Sequence, residues 1–487
     1  MKIQKTLFNS FEVLFMILIS MLLCVIMTGT QRNIEWYNIL FVTCVLFAVM
    51  LIFYKLLLKL EAFLAKHART MLTVFVIIWG IALYTFCYIF KNEPAHDYIT
   101  VYDSAYALAN GNTDIDWGYF ALFRNNFLTM IIVSALMKIA FMLKLSEPIV
   151  VMLLFSVSLV LWSGICIFRL LRRDGHLYAS CFMGLFLFAG FLPLWGGTFN
   201  LYTDCVSLSL GIWACYVMSK GAISNHKVLC FMAAGALWGI GYAIKPTVII
   251  SLVAILIILL LTRHWKKTLQ ILLFVLIGFV VSQIGVEIIW NQFPCAELES
   301  ELAAPIDFWL ALGLCEDGSY AENAEFAIRC LDTPGLEAKK QIAREHISQN
   351  IQELWNLNHL VRKARHNFAS GHMGLPDFNR YPVNFMYNIF NDYGEYGGYA
   401  IMYSSGYFYA ILAFGLLGSF LQLRDRKKGK RVSDLAVLGR LVVYGLIIFL
   451  MLFEANNRQL YNHMPWFALM GAMGCARVGD IKWRKEK

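Results

Sequence analysis

The sequence predicts an all-α polytopic membrane protein, and two observations carry that prediction. Of its 487 residues, 59% are hydrophobic and 15% are charged, whereas apolar residues make up only about half of a soluble domain. Continuous apolar runs recur along the chain, and a membrane β-barrel would instead alternate apolar and polar residues in short segments. Only helices and closed barrels satisfy the backbone inside a bilayer, so the pattern indicates a helical bundle.

Twelve apolar runs are long enough to cross roughly 30 Å of hydrocarbon, which takes about 17 to 25 helical residues. They lie at 11–30, 36–58, 71–90, 149–171, 177–194, 205–220, 227–243, 247–263, 268–290, 399–423, 435–453 and 464–480. The first run follows Lys2 and Lys5 but ends in Met27-Thr28-Gly29-Thr30, which lacks the small-residue cleavage site of a signal peptide. We therefore expect it to remain as the first helix.

The net charge of +9 predicts topology and does not indicate nucleic-acid binding, because the basic residues cluster in short loops as cytoplasmic loops require. The clusters are Lys55–Arg69, Arg169–Arg173, Arg263–Lys267, Arg424–Arg431 and Trp483–Lys487. If the apolar run at 127–143 crossed the membrane, Arg169–Arg173 and every later cluster would change sides. We therefore expect 127–143 to be a juxtamembrane or re-entrant helix, with about twelve spans and both termini cytoplasmic.

These features divide the chain into four parts. They are an N-terminal helix pair (1–70), a transmembrane core (71–290) with an acidic first outer loop (91–126), a large extracytoplasmic loop (291–398) and C-terminal transmembrane helices (399–487). In the large loop, Thr333-Pro334 predicts the start of a helix over 335–369. Cys295, Cys315 and Cys330 also lie there; a disulfide between two of them is an open alternative that their spacing does not support, and no metal-binding pattern is present.

The first outer loop carries the acids Glu93, Asp97, Asp103, Asp114 and Asp116 directly after a hydrophobic helix. Asp97 lies close to the membrane surface, where partial shielding from water can raise a carboxyl pKa and suit it to general-base chemistry; an ordinary solvated acid is the alternative. Asp103 is a weaker second candidate. Asp114 and Asp116 lie in a turn-like segment and are expected to shape it, and His96 is expected to be a hydrogen-bonding neighbour of Asp97.

Three cations and one further acid are predicted on the same outer side. Lys245 and Arg458 are cations that the inside preference does not explain, so each is a candidate for binding a phosphate; for Arg458 the alternative is a pair with Glu454. Arg124 is a third outer cation, or else a headgroup anchor. Asp204 is either a first-turn acid favoured by the helix dipole or a cavity residue. Together these residues suit a lipid-phosphate substrate.

The order and membrane side of these motifs resemble the GT-C membrane glycosyltransferases, in particular the family 39 or dolichyl-phosphate-mannose mannosyltransferase-like enzymes of Gram-positive bacteria. The resemblance rests on Asp97 in the first core loop, Arg124-Asn125-Asn126-Phe127, Tyr202-Thr203-Asp204, Tyr242–Thr247, and Arg458-Gln459-Leu460-Tyr461 followed by Pro465. It covers about residues 71 to 290 and the last helices. Where that family has an Asp-Glu or Asp-Gln pair in the first loop, this chain has Asp97-Tyr98.

The resemblance implies an inverting enzyme of the bacterial plasma membrane that moves a sugar from a polyprenyl-phosphate carrier to a cell-envelope glycan, lipid or protein. It implies that Asp97, with Asp103 in reserve, activates the acceptor, and that Lys245, Arg458 and Arg124 bind the donor phosphate. Asp204, Tyr202 and His96 would shape the cavity around the sugar. No cofactor is expected, and a divalent metal is compatible with the chain although no pattern indicates one. Sugar donor, acceptor and bilayer are the expected partners.

Two other functions use the same features. A transporter or flippase for lipid-linked glycans would bind a headgroup with the outer cations, but the chain lacks the inverted repeat and the matching broken helices that such proteins often carry. An O-antigen-ligase or polymerase-like transferase would place its essential residues in the large loop, with Arg362, Arg365 and His372 as candidates.

Overall fold

The computed structural model describes residues 2–29, 34–90, 94, 96–112, 114–262, 265–374, 388–389, 394–428 and 433–480. Throughout these residues the regular secondary structure is helical, without β-strands, so the predicted all-α class is confirmed. Glu93, the whole basic cluster at 483–487 and parts of the clusters at 263–267 and 424–431 lie outside the described residues.

The apolar bundle is formed by long helices together with several shorter ones. They are α1 (Lys2–Met27), α2 (Trp36–Lys59), α3 (Glu61–Ile89), α6 (Phe127–Met142), α7 (Ile149–Arg173), α8 (Tyr178–Ala189), α11 (Leu210–Gly221), α12 (Lys227–Ile244), α13 (Ile249–Thr262), α14 (Trp265–Trp290), α20 (Gly397–Lys427), α21 (Asp434–Leu452) and α22 (Met464–Gly479). Shorter helices connect them: α4 (Asp97–Ala109), α5 (Trp117–Leu122), α9 (Leu192–Gly197) and α10 (Thr203–Ser207).

Within the described residues, nine helical segments have the length and hydropathy to span a membrane, fewer than the twelve predicted. They are Thr6–Met27, Trp36–Lys59, Glu61–Ile89, Arg124–Met142, Ile149–Arg173, Lys227–Ile244, Trp265–Trp290, Gly397–Lys427 and Asp434–Leu452. The predicted spans at 177–194 and 205–220 are each broken into two helices, the first at Gly190 before Pro193 and the second between Ser207 and Leu210. Apolar composition alone does not reveal these breaks, because the residues on both sides of each break are buried and mostly apolar. The apolar run therefore continues across the break.

Glu61, the first residue of α3, fixes the relative directions of two helices. Its carboxylate accepts hydrogen bonds from the backbone N–H groups of Tyr178 and Ala179 at 3.0 and 2.8 Å, so the start of α3 lies beside the loop that follows α7. α3 and α7 therefore run in opposite directions, and the chain between them leaves and re-enters the bundle at one end. With 13 residues, α4 is too short to cross the bilayer. A single crossing by α6 would make α3 and α7 parallel, so their opposite directions favour the predicted juxtamembrane position of α6. By length and hydropathy alone, the segment Arg124–Met142 is also suited to span a membrane.

The two ends of the bundle differ in charge. One end, called the basic end here, carries Arg172, Arg173, Arg426, Arg440 and Arg477. α12 and α21 run from this end to the opposite one, called the site end, because Lys245 directly follows α12 and Arg458 follows α21. Acidic and basic residues of the candidate site therefore gather far from the arginine-rich surface.

The large loop forms a helical subdomain with its own core. Its helices are α15 (Cys295–Leu302), α16 (Ile306–Gly313), α17 (Ala324–Leu331), α18 (Leu336–Asn350) and α19 (Leu357–Phe368). Phe308, Leu312, Phe326, Leu331 and Ala343 pack together in a cluster separate from the membrane core. All twelve cysteines are free thiols, so no disulfide joins the three that lie in this loop.

The predicted helix at 335–369 is wrong in two details. Thr333 does not cap it: its hydroxyl donates to the carbonyl of Arg329 at 2.8 Å and so ends α17, while α18 starts after Gly335, whose φ of 88° favours glycine. Asn356 then interrupts the helix and caps α19 by accepting from the N–H of Asn358 at 3.0 Å. α18 packs within the loop core and α19 packs against the membrane helices.

Candidate functional site

Asp204, Lys245 and Arg458 form one buried ionic cluster at the site end. Lys245 Nζ donates to Asp204 Oδ1, and Arg458 Nε lies 3.3 Å from Asp204 Oδ2. Asp204 is only 2% exposed, whereas the Arg458 side chain keeps 19% of its surface exposed. One carboxylate therefore holds two cations, and Arg458 is the member of the cluster that reaches toward solvent.

Three breaks in the helical bundle place these side chains. Asp204 lies in the first turn of α10, which begins after the extended residue Tyr202; a carboxylate there also interacts favourably with the helix dipole. Lys245 follows the last residue of α12 in an extended conformation imposed by Pro246. Arg458 lies in the short 3-10 helix Asn457–His463, which Asn456 caps by accepting from the Arg458 N–H at 3.1 Å.

Tyrosine side chains connect Asp97 to this cluster. The Arg458 guanidinium lies 5.1 Å from the centre of the Tyr202 ring, and Tyr202 in turn packs against Tyr98 of α4. Burial raises the pKa of Tyr202 above its ordinary value; Arg458 opposes that shift and the nearby charge of Asp97 reinforces it. Asp97 itself is exposed in the first turn of α4, so it lies at the solvent side of the same site.

Glu454 is a site residue that the sequence analysis treated only as a partner for Arg458. It is partly buried, and burial raises the pKa of its carboxyl while Arg458 and Lys245 lower it. The carboxylate of Asp97 also acts on Glu454, which places three acids and two cations in one region. The sequence signal for Glu454 was its position four residues before Arg458. The same spacing is common in ion pairs on the surface of a helix, so it did not identify a site residue.

A hydrogen-bonded floor supports the cluster. Asn462 Nδ2 donates to Thr247 Oγ1 at 3.2 Å, and His463 Nδ1 lies 2.7 Å from Asn462 Oδ1. Burial lowers the pKa of His463 to about 4, and the charge of Lys245 adds to that effect. His463 is therefore neutral at physiological pH and adds no further cation to the site.

The loop subdomain contacts the site through the segment 454–458. Asn367 of α19 donates to the Leu450 carbonyl at 3.1 Å and accepts from the Asn456 N–H at 2.9 Å. The Ala455 N–H donates to the Gly318 carbonyl at 2.7 Å. Gly374 packs so closely that a Cβ there would lie 2.7 Å from Arg458 Cβ. The position of Arg458 therefore depends on both the bundle and the loop.

Arg124, the third predicted outer cation, lies apart from the Asp204 cluster. It pairs with Glu287 and, at 2.8 Å, with Glu299, and its guanidinium lies 4.7 Å from the centre of the Trp290 ring. These contacts hold α14 and α15 against the 3-10 turn Arg124–Asn126 and keep Arg124 out of the Asp204 cluster. Asn126, two residues further along the chain, makes a different contact: its Nδ2 donates to the Tyr119 hydroxyl at 2.6 Å.

The other residues of the first outer loop fall into two groups. Asp103 and His96 are exposed on α4 or directly before it, and the described contacts join neither of them to the cluster. Asp116 accepts from the Tyr119 N–H at 3.1 Å, and the Asp114 N–H donates to Asn112 at 3.0 Å. Asp114 and Asp116 therefore take part in a turn, as predicted, and Asp116 also caps α5, which the sequence analysis did not predict.

The loop residues named for a ligase-type function serve other contacts. Arg365 donates to the Val25 carbonyl and to the Thr28 hydroxyl at the end of α1, and Arg362 donates to the Glu316 carbonyl at 3.3 Å. His372 is buried. Among the described residues, no group of three or more His, Cys, Asp or Glu side chains is arranged to hold a metal ion.

Lys363 gives the protein a predictable pH dependence. It is fully buried, its Nζ donates to the Gly313 carbonyl at 2.5 Å, and burial lowers its pKa to about 7. Between pH 7 and about 10 the unfolded chain binds one more proton at this site than the folded chain, so the free energy of unfolding rises with pH by up to about 1.4 kcal/mol per pH unit. Below pH 7 this contribution to the slope disappears.

We expect Lys363→Met to flatten that rise when the thermal unfolding midpoint is measured between pH 7 and 9. Lys340→Met is the matched control, because Lys340 pairs with Glu337 on the loop surface, and it should keep the wild-type slope. A variant with Met at position 363 that retained the full slope would contradict the assignment.

Fold and site together define the class of this protein: a polytopic helical integral membrane protein with a buried ionic cluster next to a helical loop subdomain. The chain belongs to the family described as "conserved hypothetical integral membrane protein", whose model matches residues 2–477. A comparison with curated proteins gives no significant match.

Proposed function

We propose that the protein is a membrane glycosyltransferase that moves a sugar from a polyprenyl-phosphate carrier to a cell-envelope acceptor with inversion. The observation that carries the proposal is that Asp204 holds Lys245 and Arg458 side by side, with the exposed carboxylate of Asp97 at the same end of the bundle. A pair of cations beside a general base is what this transfer needs, because negative charge develops on the leaving phosphate as the acceptor loses its proton.

The proposed reaction has one displacement step. The acceptor hydroxyl oxygen attacks the anomeric carbon and gives its proton to the carboxylate of Asp97, while the bond from the anomeric carbon to the phosphate oxygen breaks. Arg458 and Lys245 stabilise the polyprenyl phosphate that leaves. Asp204 is a positioning residue, since its carboxylate holds Lys245 and Arg458 in place and is itself buried away from the substrate. No residue is asked to form a covalent intermediate.

The charge distribution supports an orientation for this reaction. Arg172, Arg173, Arg426 and Arg477 lie at the basic end, and positive residues favour the cytoplasmic side, so we propose that the site end faces outward from a bacterial plasma membrane and that both termini are cytoplasmic. A single added cysteine beside Arg172 should be unreachable by an impermeant thiol reagent in intact cells. Labelling there, in a background whose native cysteines do not react, would reverse the orientation.

Donor binding gives the direct test of the function. With purified protein and a polyprenyl-phosphate sugar, Arg458→Ala should raise the donor concentration needed for half-maximal transfer about ten- to a hundredfold, because a hydrogen bond to a charged group contributes about 1.5–3 kcal/mol. Lys245→Met should act in the same direction. Since Lys245 is more deeply buried than Arg458, its variant is also expected to lose stability.

Arg124→Ala is the matched control for this experiment. It removes a guanidinium that pairs with Glu287 and Glu299 outside the cluster, so we expect the donor dependence of transfer to stay within about twofold of wild type. Equal donor dependence in the Arg458→Ala variant and the wild type would remove the phosphate role. Absence of transfer from every polyprenyl-phosphate sugar tried would contradict the proposed function as a whole.

A further inference from the structure

The turn between α2 and α3 lies at the basic end of the bundle, far from the candidate site. α2 ends at Lys59 and α3 begins at Glu61, so Leu60 alone separates the two helices. The carboxylate of Glu61 binds the N–H groups at the start of α8, which fixes this turn beside the loop that follows α7. Residues 55–69 are called the basic elbow here.

The basic elbow extends beyond the length of helix that a membrane crossing needs. With 29 residues, α3 is about 44 Å long, whereas the hydrocarbon core of a bilayer is about 30 Å thick. The backbone leaves helical values at Leu60, with ψ of 5°, and again at His67, with φ of −113° and ψ of 18°. The segment from Glu61 to Lys66 therefore lies between two bends and can follow the membrane surface while the rest of α3 crosses.

Four cations of the basic elbow are exposed. They are Lys55, Lys59, Lys66 and Arg69. In the part of the chain that the structure describes, none of the four forms an ion pair. Arg172 brings a further positive charge to the same place, because its guanidinium lies 4.3 Å from the centre of the Tyr178 ring and the Tyr178 N–H is bound by Glu61.

Acidic residues near the basic elbow do not balance these cations. Glu61 directs its carboxylate at the start of α8, where the helix dipole favours a negative charge. Asp174 accepts from the Ser433 hydroxyl and lies 3.2 Å from His176 Nε2. The charge of Asp480 acts on Tyr54 of α2. Three acids therefore face five cations, and the surface keeps an excess of positive charge.

Large apolar side chains lie among the exposed cations. Leu56, Leu60 and Phe63 each keep about half of their surface exposed, whereas Leu64 is buried against the bundle. The preference for positive charge on the cytoplasmic side requires only basic residues in a loop. Here the basic residues instead lie on helices and beside apolar side chains, an arrangement that lets lysine stems cover apolar surface while their ammonium groups reach the headgroups.

We propose that the basic elbow binds the headgroups of anionic phospholipids in the adjoining leaflet, with Lys59 and Lys66 on either side of Phe63 along the chain. The apolar side chains enter the boundary of the acyl region, and the cations meet the lipid phosphates. Anionic lipids are selected because a zwitterionic headgroup carries its own cation and gains less from the excess positive charge. This surface has no part in the proposed sugar transfer, and its binding does not depend on which side of the membrane it faces.

The test records which lipids contact the elbow of the full chain in bilayers of equal parts phosphatidylglycerol and phosphatidylcholine. The photoreactive residue p-benzoylphenylalanine replaces Phe63, which is exposed enough to accept the larger ring, and mass spectrometry measures the two lipids attached to it. We expect phosphatidylglycerol to exceed phosphatidylcholine by about threefold or more at low ionic strength. The excess should fall toward one at about 1 M salt, where the Debye length is about 3 Å. The same replacement at Tyr37, which is exposed at the opposite end of α2, should give a ratio near one.

A matched pair of variants tests the role of the lysines. Lys59→Gln combined with Lys66→Gln should bring the lipid ratio at position 63 close to one. Lys340→Gln combined with Arg344→Gln removes the same charge from the loop subdomain, where these residues pair with Glu337 and Asp307, and should leave the ratio unchanged. A ratio near one in the otherwise wild-type chain, an equal fall in both double variants, or attachment to another protein in place of lipid would overturn the proposal. Persistence of the excess at high salt and after loss of both lysines would also overturn it.

Discussion

Asp204→Asn should lower the free energy of unfolding by about 3–5 kcal/mol, the cost of leaving buried charge without its partner. Lys245 Nζ and Arg458 Nε both face this carboxylate, and the amide that replaces it cannot neutralise either cation. Because the two cations would separate, sugar transfer should fall along with stability. Thermal and denaturant unfolding in detergent, with transfer assayed on the folded fraction, measure both effects.

The controls for Asp204 separate charge loss from general damage. Glu337→Gln removes an acid from an exposed pair with Lys340 and should leave the free energy of unfolding close to that of the wild type, because solvent screens such pairs. Combining Asp204→Leu with Lys245→Met should be less destabilising than Asp204→Leu alone, because a buried pair replaced as a unit leaves no lone lysine charge. If Asp204→Asn were as stable as wild type, the ionic cluster would not hold the site together.

Asp97→Asn should reduce sugar transfer by about 10²- to 10⁴-fold, the usual contribution of a general base, while the fold stays intact. Asp97 is exposed in the first turn of α4, so the change removes a favourable helix-dipole interaction of about 0.3–1 kcal/mol at most. Initial rates at saturating donor and the unfolding midpoint are the two measurements. A large rate loss with a small stability loss is the expected pattern.

Two further acids make the Asp97 result interpretable. Asp114→Asn changes a residue of a surface turn and should leave the rate within about twofold of wild type. Asp103→Asn tests the second acid suggested by the sequence, and we expect near-normal transfer because the described contacts do not join Asp103 to the cluster. Wild-type transfer by the Asp97→Asn variant, or a greater loss in the Asp103→Asn variant, would assign the base elsewhere.

Local sequence patterns predicted the outline of the structure well. The helical class follows from composition, most long helices follow from apolar runs, and the turn roles of Asp114 and Asp116 follow from their neighbours. The breaks at 190–191 and 208–209 were missed because the residues around them are buried and the apolar pattern continues across both breaks. The separate loop core was missed because the same apolar spacing serves a helix that packs on membrane helices and one that packs within a loop.

The candidate site was predictable as a set of residues but not as a geometry. Asp204, Lys245 and Arg458 each stood out as a charge at the edge of an apolar run. Nothing local indicates that one carboxylate serves both cations, since their segments are far apart in the chain. Arg124 gave the same local signal as Arg458, yet Glu287 and Glu299 engage it. Deciding between such residues requires knowledge of which acids approach each cation in space.

The division of the cluster along the chain also has a consequence for biosynthesis. Asp204 and Lys245 are both translated before Arg458 and can form a neutral pair before Arg458 is made, and a neutral pair is less costly near hydrocarbon than a lone charge. Arg458 is translated later and adds its charge only after α21 has formed. Assembly of the complete site therefore waits for the last part of the bundle.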